Sequence, residues 1–248
     1  YKVAGIYQLT DEIALRSSYG TGFRAPTPGQ QGTTNVSTRL PNGFPVATGL
    51  FPASSAVAQA LGASALAPEK STNITFGMTA DYGDFTLTVD YYNIELEDRL
   101  NAISTLDVSS DPDAEDPEDY QRYLSLANAG VSGAESIGGV FYFQNAFDTT
   151  TEGVDVVATY NMQSDMGDTT FTASFNYNKT TLDNDPENFY NEEDEFDLEN
   201  GTPDFRGTAS VKHSIEDWMI VARMNYYGEY ENAASSSLDV IQTFGTEI

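Results

Sequence analysis

Residues 72–94 hold two long runs in which apolar and polar side chains alternate, joined by Gly83-Asp84. In the first run Ile74, Phe76, Met78, Ala80 and Tyr82 alternate with Asn73, Thr75, Gly77, Thr79 and Asp81. In the second, Phe85, Leu87, Val89 and Tyr91 alternate with Thr86, Thr88, Asp90 and Tyr92. Successive strand side chains face opposite sides, so each run is a strand with one apolar and one wet face. Strands of globular proteins average about 5–6 residues, whereas a tilted strand that crosses a bilayer needs about 9–11. The length of these runs points to a membrane-spanning hairpin.

Composition removes several alternatives. No stretch approaches the roughly 18 apolar residues of a membrane helix. That limit leaves barrels untouched, because their apolar residues come at every second position. Eleven Lys and Arg against 38 Asp and Glu give a formal charge of −27. Phosphate binding needs cations, so nucleic acid is excluded as a partner. There is no cysteine and one histidine, which removes disulfides, thiolate centres and the usual zinc ligand sets. A Ser-His-Asp site would have to use His213 alone. Gly20-Thr21-Gly22 precedes a loop rather than opening a helix, so it is no dinucleotide fingerprint. The chain reads as neither an enzyme nor a cofactor carrier.

The alternation recurs along the chain. Strands are expected over residues 1–9 and 12–20, 71–82 and 85–97, 146–162 and 169–180, 203–215 and 218–230, with 238–248 starting another. The turns near 10–11, 83–84, 163–168 and 216–217 are short, while the connections 21–70, 98–145 and 181–202 are long. Short turns at one end and long loops at the other describe an outer-membrane barrel, with the short turns periplasmic. Tyr7, Tyr82, Phe85, Tyr160 and Trp218 lie by the short turns, and Tyr19, Tyr91, Tyr177 and Tyr226 lie toward the long loops. Two aromatic girdles would give this distribution. Residues 54–61 and 116–124 have helix-forming composition with Ser or Asp caps and, in the second, Pro117 at the first helical position. The expected fold is all-β: an antiparallel transmembrane β-barrel, partial at about nine strands, with long extracellular loops that carry short helices.

Four segments resemble TonB-dependent outer-membrane receptors. Ser17-Ser18-Tyr19-Gly20-Thr21-Gly22-Phe23-Arg24-Ala25-Pro26 is similar to the strand end and "GFRAP" segment of that family. Leu66-Ala67-Pro68-Glu69-Lys70-Ser71 resembles its "L-x-PE-x-S" start of the next strand. Phe143-Gln144-Asn145-Ala146 with Thr151-Glu152-Gly153-Val154-Asp155 is similar to a further strand, and Asn225-Tyr226-Tyr227-Gly228 to the end of the following hairpin. The matches occur in the family's order. The resemblance implies a barrel of about 22 strands whose lumen holds a plug. It makes residues 1–248 the C-terminal portion of such a barrel, without the plug or the TonB box.

The resemblance also implies an activity. The whole protein would sit in the outer membrane of a Gram-negative bacterium, bind a scarce nutrient and import it with energy passed by the inner-membrane TonB system. Ferric siderophore is the leading cargo, with cobalamin, haem and oligosaccharide as alternatives. Partners would be outer-membrane lipid, the protein's own plug and TonB. Two competing readings are a passive porin-like barrel and a secreted β-sandwich adhesin or carbohydrate-binding module; the latter should have shorter strands and similar loops at both ends.

Candidate site residues are polar. Arg16, Arg206, Lys212 and Arg223 fall on the wet faces of their strands, with Asp90 and Asp155 as partners. They form either a lumen ion-pair network or, on the family reading, contacts to plug carboxylates or the substrate path. Asp183, Asp185 and Glu187 have the texture of oxygen ligands for Ca²⁺, but no complete EF-hand pattern is present. Solvated acidic loops are the simpler reading, and no firm metal site is assigned. Arg24 is expected to hold the base of a loop, and His213 to lie outward at headgroup level.

Overall fold

The computed structural model describes residues 1–40, 45–184, 189–233 and 241–245. In chain order the elements are β1 Lys2–Gln8, β2 Ile13–Arg24, α1 Pro28–Gly32, β3 Asn35–Arg39, β4 Val46–Leu50, α2 Ala56–Ala60, β5 Glu69–Tyr82, β6 Phe85–Ala102, β7 Leu106–Asp107, α3 Pro117–Asn128, β8 Ile137–Phe141, β9 Phe143–Ser164, β10 Gly167–Leu182, α4 Glu192–Asn200, β11 Phe205–Ile215, β12 Trp218–Tyr227, β13 Tyr230–Ala233 and β14 Ile241–Phe244. Period-two alternation puts the long segments into one eight-stranded sheet, ordered β1-β2-β5-β6-β9-β10-β11-β12. Every neighbouring pair in it is antiparallel. The sheet is an open wall: among the described residues, β1 and β12 each have an unpaired edge.

Register fixes the two faces, because directly opposed residues share a side. Met78, Val89, Val156, Phe175, Gly207 and Tyr226 are neighbours across β5 to β12. Ala80, Leu87, Ala158, Ala173, Ala209 and Met224 form the next row. Aromatic rows bound them. Phe76, Tyr91, Val154, Tyr177 and Phe205 align on the loop side, and Tyr82, Phe85, Tyr160 and Phe171 on the turn side. Beyond the loop-side row the same face turns hydrophilic with Asn93, Glu95, Glu97, Glu152 and Lys179. The apolar face is open to its surroundings: Phe76 is 58% exposed and Trp218 73%. This is the lipid-facing band of a barrel wall. The hairpin's expected division into an Ile74–Phe76–Met78 side and an Asn73–Thr75 side is the one observed.

The strands outrun the bilayer. At about 3.3 Å per residue, β9 with its 22 residues spans roughly 70 Å. Its far half, with those of β6 and β10, stands above the membrane and carries the long connections. Those connections fold together. β3 and β4 from the first meet β7 and β8 from the second in a four-stranded sheet, where β4 runs parallel to β8. The buried cluster of Ala58, Ile103, Val108, Leu126, Ala134, Ile137, Val140 and Tyr142 lies beneath them. The buried apolar core thus sits in the loops, not under the main sheet.

Helix boundaries follow their caps. Ser55 accepts from Ala58 N to start α2, and Asp116 accepts from Glu118 N at 2.9 Å, with Pro117 next, to start α3. The expected helix at 116–124 continues to Asn128. A strand does lie within 238–248, where the start of another was expected. Its described part, Ile241–Phe244, pairs with Tyr230–Ala233 in a separate two-stranded sheet; residues 238–240 and 246–248 lie outside the described residues. β12 stops at Tyr227, beside the start of β11 at Phe205, whose carbonyl accepts from Gly228 N at 2.8 Å. Among the described residues the wall has eight strands, and β14 is a further antiparallel strand outside that sheet.

Leu126 is fully buried under the loop sheet. Leu126→Ala should cost this cap about 2–5 kcal/mol. Hydrogen exchange should accelerate across residues 103–142, while ladder amides of β5 and β6 keep their protection.

Candidate functional site

The wet face of the wall is a connected polar surface. One register row runs Ile6, Arg16, Gly77, Asp90, Asp155, Asn176, Arg206, Tyr227 from β1 to β12. Four of the six strand residues singled out from the sequence lie in this row: Arg16, Asp90, Asp155 and Arg206. Arg16 reaches across β5 to Asp90, with Nε 2.7 Å from Oδ1 and Nη2 on Oδ2. Gly77 makes this possible. A Cβ there would overlap Asp90 Oδ1 and lie 2.8 Å from Arg16 Nε. Asp155 is held differently, by Asn176 Nδ2 at 2.7 Å. The same amide donates to Tyr92 Oη at 3.2 Å. The Tyr92 ring lies over Gly153, where a Cβ would come 2.5 Å from its hydroxyl. An aromatic over a strand glycine covers backbone that the glycine leaves bare.

Threonine and serine pairs extend the network. Ser18 and Thr75 hydroxyls are 2.7 Å apart, Thr151 and Thr180 2.8 Å, and Thr170 donates to Asn161 at 2.9 Å. Arg206, Lys212 and Arg223 share this face on β11 and β12, with Lys212 opposite Thr170 and Arg223 opposite Ser210. Among the described residues none of the three has an ion-pair partner. His213 is on the opposite, outward face, with Nδ1 2.8 Å from Thr169 Oγ1.

At the extracellular end, polar side chains tie the loops to the wall. Arg24 grips Glu69 through Nε and, at 2.9 Å, through Nη2. Glu69 is buried and also accepts from Leu100 N at 2.7 Å. Asn145 accepts from Ala67 N at 2.8 Å and donates to Ala67 O at 3.0 Å. Arg24 thus holds the base of a loop, as its Phe-Arg-Ala-Pro setting suggested.

The acidic third connection is latched to the second. Tyr190 Oη donates to Ala102 O at 2.8 Å, and its ring meets Phe147 edge-on at 5.1 Å. Asn191 N donates to Ser104 Oγ at 3.1 Å, and Ser104 Oγ in turn donates to Asp194. Four carboxylates in the first turn of α4 favour its positive end. This helix was missed because its acidic residues read equally well as a solvated loop; Asn191, which accepts from Asp194 N, was the available cap signal. Asp183 accepts from Thr150 Oγ1 at 2.7 Å and so closes the top of the β9–β10 hairpin. Asp185 and Glu187 lie outside the described residues. Among the described residues, no three His, Asp or Glu are grouped to hold a metal.

Comparison with known proteins follows the same lines. The family model described as TonB dependent receptor-like, beta-barrel, matches residues 1–245. No curated protein matches the sequence. Among solved structures, a mutant of the ferric enterobactin receptor PfeA of Pseudomonas aeruginosa aligns over 99% of this chain and 30% of its own, with 13% identity and a TM-score of 0.58. The siderophore receptor PirA of Acinetobacter baumannii aligns over 99% and 33%, with 14% identity and a TM-score of 0.57. The copper transporter OprC aligns over 92% and 26%, with 15% identity and a TM-score of 0.54. These likenesses establish the fold. The chain spans about a quarter to a third of the length of these structures. The family and these neighbours are receptors and transporters, not enzymes.

Two outcomes follow from the geometry. Gly77→Val should displace the Arg16–Asp90 pair and lower stability by about 1–3 kcal/mol, read from the denaturant midpoint. Burial, with the charge of Asp194, pushes the Tyr190 phenol up to about 12. The unfolded phenol ionises near 10, so the latch keeps its full strength below pH 10 and weakens as pH rises toward 12. Tyrosinate absorbance should show one late-titrating tyrosine that Tyr190→Phe removes.

Proposed function

Because the chain belongs to the TonB-dependent receptor β-barrel family, we propose that residues 1–248 form the C-terminal part of the barrel wall of an outer-membrane active transporter in a Gram-negative bacterium. The observation that carries this reading is the two-faced wall beneath a folded extracellular cap. One face suits hydrocarbon, the other suits a polar filling, and the cap stands where a solute would first be met. The plug and the TonB-contacting segment belong to other parts of the full-length receptor. Uptake then requires contact with the inner-membrane TonB system as well as with lipid.

The cargo we propose is a scarce nutrient, with ferric siderophore as the leading candidate. Two neighbours bear names of siderophore receptors and one of a copper transporter. The acidic outer connections repel free anions and raise the local concentration of cations, so an overall neutral or cationic complex is favoured over a highly anionic one.

The test is uptake by cells that express the full-length receptor under iron limitation. Accumulation of a radiolabelled ferric siderophore should collapse when an uncoupler dissipates the proton-motive force. Flux that simply follows the concentration gradient and ignores the uncoupler would assign the wall to a passive pore.

A further inference from the structure

β6 and β9 keep register from Phe85 opposite Tyr160 to Leu96 opposite Thr149, slip at the next pair, Arg99 with Phe147, and resume the register at Leu100 opposite Asn145. Glu97 and Asp98 thus stand against the single Asp148, which is the geometry of a β-bulge. Asp98 has a φ of 57°, in the left-handed region that Asp tolerates better than most residues. The bulge is fastened from three sides. Asp98 N donates to Asp148 Oδ1 at 2.8 Å, Asn145 Nδ2 donates to Asp98 O at 2.6 Å, and Lys70 Nζ lies 3.2 Å from Asp98 Oδ2. Its consequence is confined to Arg99, the one residue whose pairing is offset. Even-numbered residues of β6 share the polar face up to Leu96. Opposite Phe147, Arg99 takes that face, whereas an unbroken strand would send it outward with Asn93, Glu95 and Glu97.

The side chain so redirected has spare capacity. Its guanidinium lies 5.9 Å from the Phe147 ring centre and donates to Thr149 Oγ1 at 3.4 Å. Among the described residues no carboxylate lies within ion-pair distance of it. It lines a cavity of about 380 Å³ with Gly22, Arg24, Glu69, Ser71 and Leu96. Arg24 and Glu69 cancel one another there, and Lys70, also at the wall of the cavity, is engaged by Asp98. Among the described residues, Arg99 is therefore the charge of this cavity that no carboxylate pairs.

We propose that Arg99 forms an oxyanion-binding position at the extracellular mouth of the lumen. A guanidinium offers planar, bidentate donors that match a carboxylate or phosphate, and the Phe147 face steadies it from behind. The assignment rests on the reading of this face as the lumen. The oxyanion has two possible sources with the same chemistry: a soluble anion that enters from outside, or a carboxylate side chain of the polypeptide that fills the lumen.

Both sources are tested on the purified full-length receptor. Titration calorimetry with inorganic phosphate should show binding that Arg99→Gln weakens at least tenfold if the source is a solute. In Arg99→Lys, a water-soluble carbodiimide should join the new amine to a carboxylate outside residues 1–248 if the source is polypeptide, as read by peptide mass spectrometry. Unchanged phosphate affinity in Arg99→Gln together with no cross-link, or with a cross-link to Glu69 alone, overturns the proposal. Unaltered heat-modifiable gel mobility of both variants excludes misfolding as the cause. Failure of the lumen reading is separately visible, because Asn73 and Thr75 would then be accessible to lipid rather than to water.

Discussion

Backbone hydrogen bonding is the constraint on which the rest of this molecule depends. In hydrocarbon an unpaired N–H or C=O costs several kcal/mol, so a chain that crosses with strands must pair every one of them sideways. The ladders from β1 to β12 do this with few breaks. Once the backbone is satisfied within the sheet, side chains need not supply a core. Each face instead matches a medium, which is why Phe76 and Trp218 lie bare on one side while Ser18, Thr75, Asn176 and Arg16 bond to one another on the other. The edges of β1 and β12, which have no strand partner among the described residues, obey the same physics. They require flanking strands, in keeping with a chain that covers a quarter to a third of the solved receptors' length.

Above the bilayer the constraint changes, and so does the construction. Water can satisfy the backbone there, so the long connections need a core to hold a shape, and they make one around Leu126, Val140 and Tyr142. Polar side chains at fixed places join this cap to the wall: Arg24 with Glu69, Asn145 with Ala67, and Tyr190 with Ala102. Charge is divided in the same sense. Most cations of this acidic chain are spent on structural pairs or on the polar face, while carboxylates crowd the outer connections. The bulge at Asp98 sits at the boundary of the two regimes and turns Arg99 alone to the polar face.

Much of the wall was legible in the sequence because its determinant is local. Alternation at every second residue names the strand, its faces and, with Gly83-Asp84 between, its hairpin partner. The face of Arg16, Asp90, Asp155 and Arg206 followed from parity alone. Their partners did not follow in full: that Arg16 bridges to Asp90 over Gly77, while Asp155 goes to Asn176, depends on register across several strands. The β4–β8 parallel pair joins residues far apart in sequence, and neither Val46–Leu50 nor Ile137–Phe141 is long enough to declare itself. Arg99 was hidden for the opposite reason. Counting by twos places it outward, and only the observed bulge reverses it. The segments that carried the family resemblance prove to be joints: Arg24 and Glu69 close the loop base, Asn145 ties in Ala67, and Gly153 makes room for Tyr92.

The central claim is that one face of this wall meets lipid and the other a water-accessible lumen. The sequence has no cysteine, so single cysteines at successive positions from Asn73 to Tyr82 and from Phe85 to Tyr92 can each carry a spin label in membrane-embedded receptor. Relaxation by oxygen, which partitions into lipid, and by a water-soluble nickel chelate should then alternate at every residue. Oxygen should dominate at positions 74, 76, 78, 87 and 89, and the chelate at 73, 75, 86, 88 and 90. Equal access of the chelate to both sets, or a helical period in either, would contradict the account.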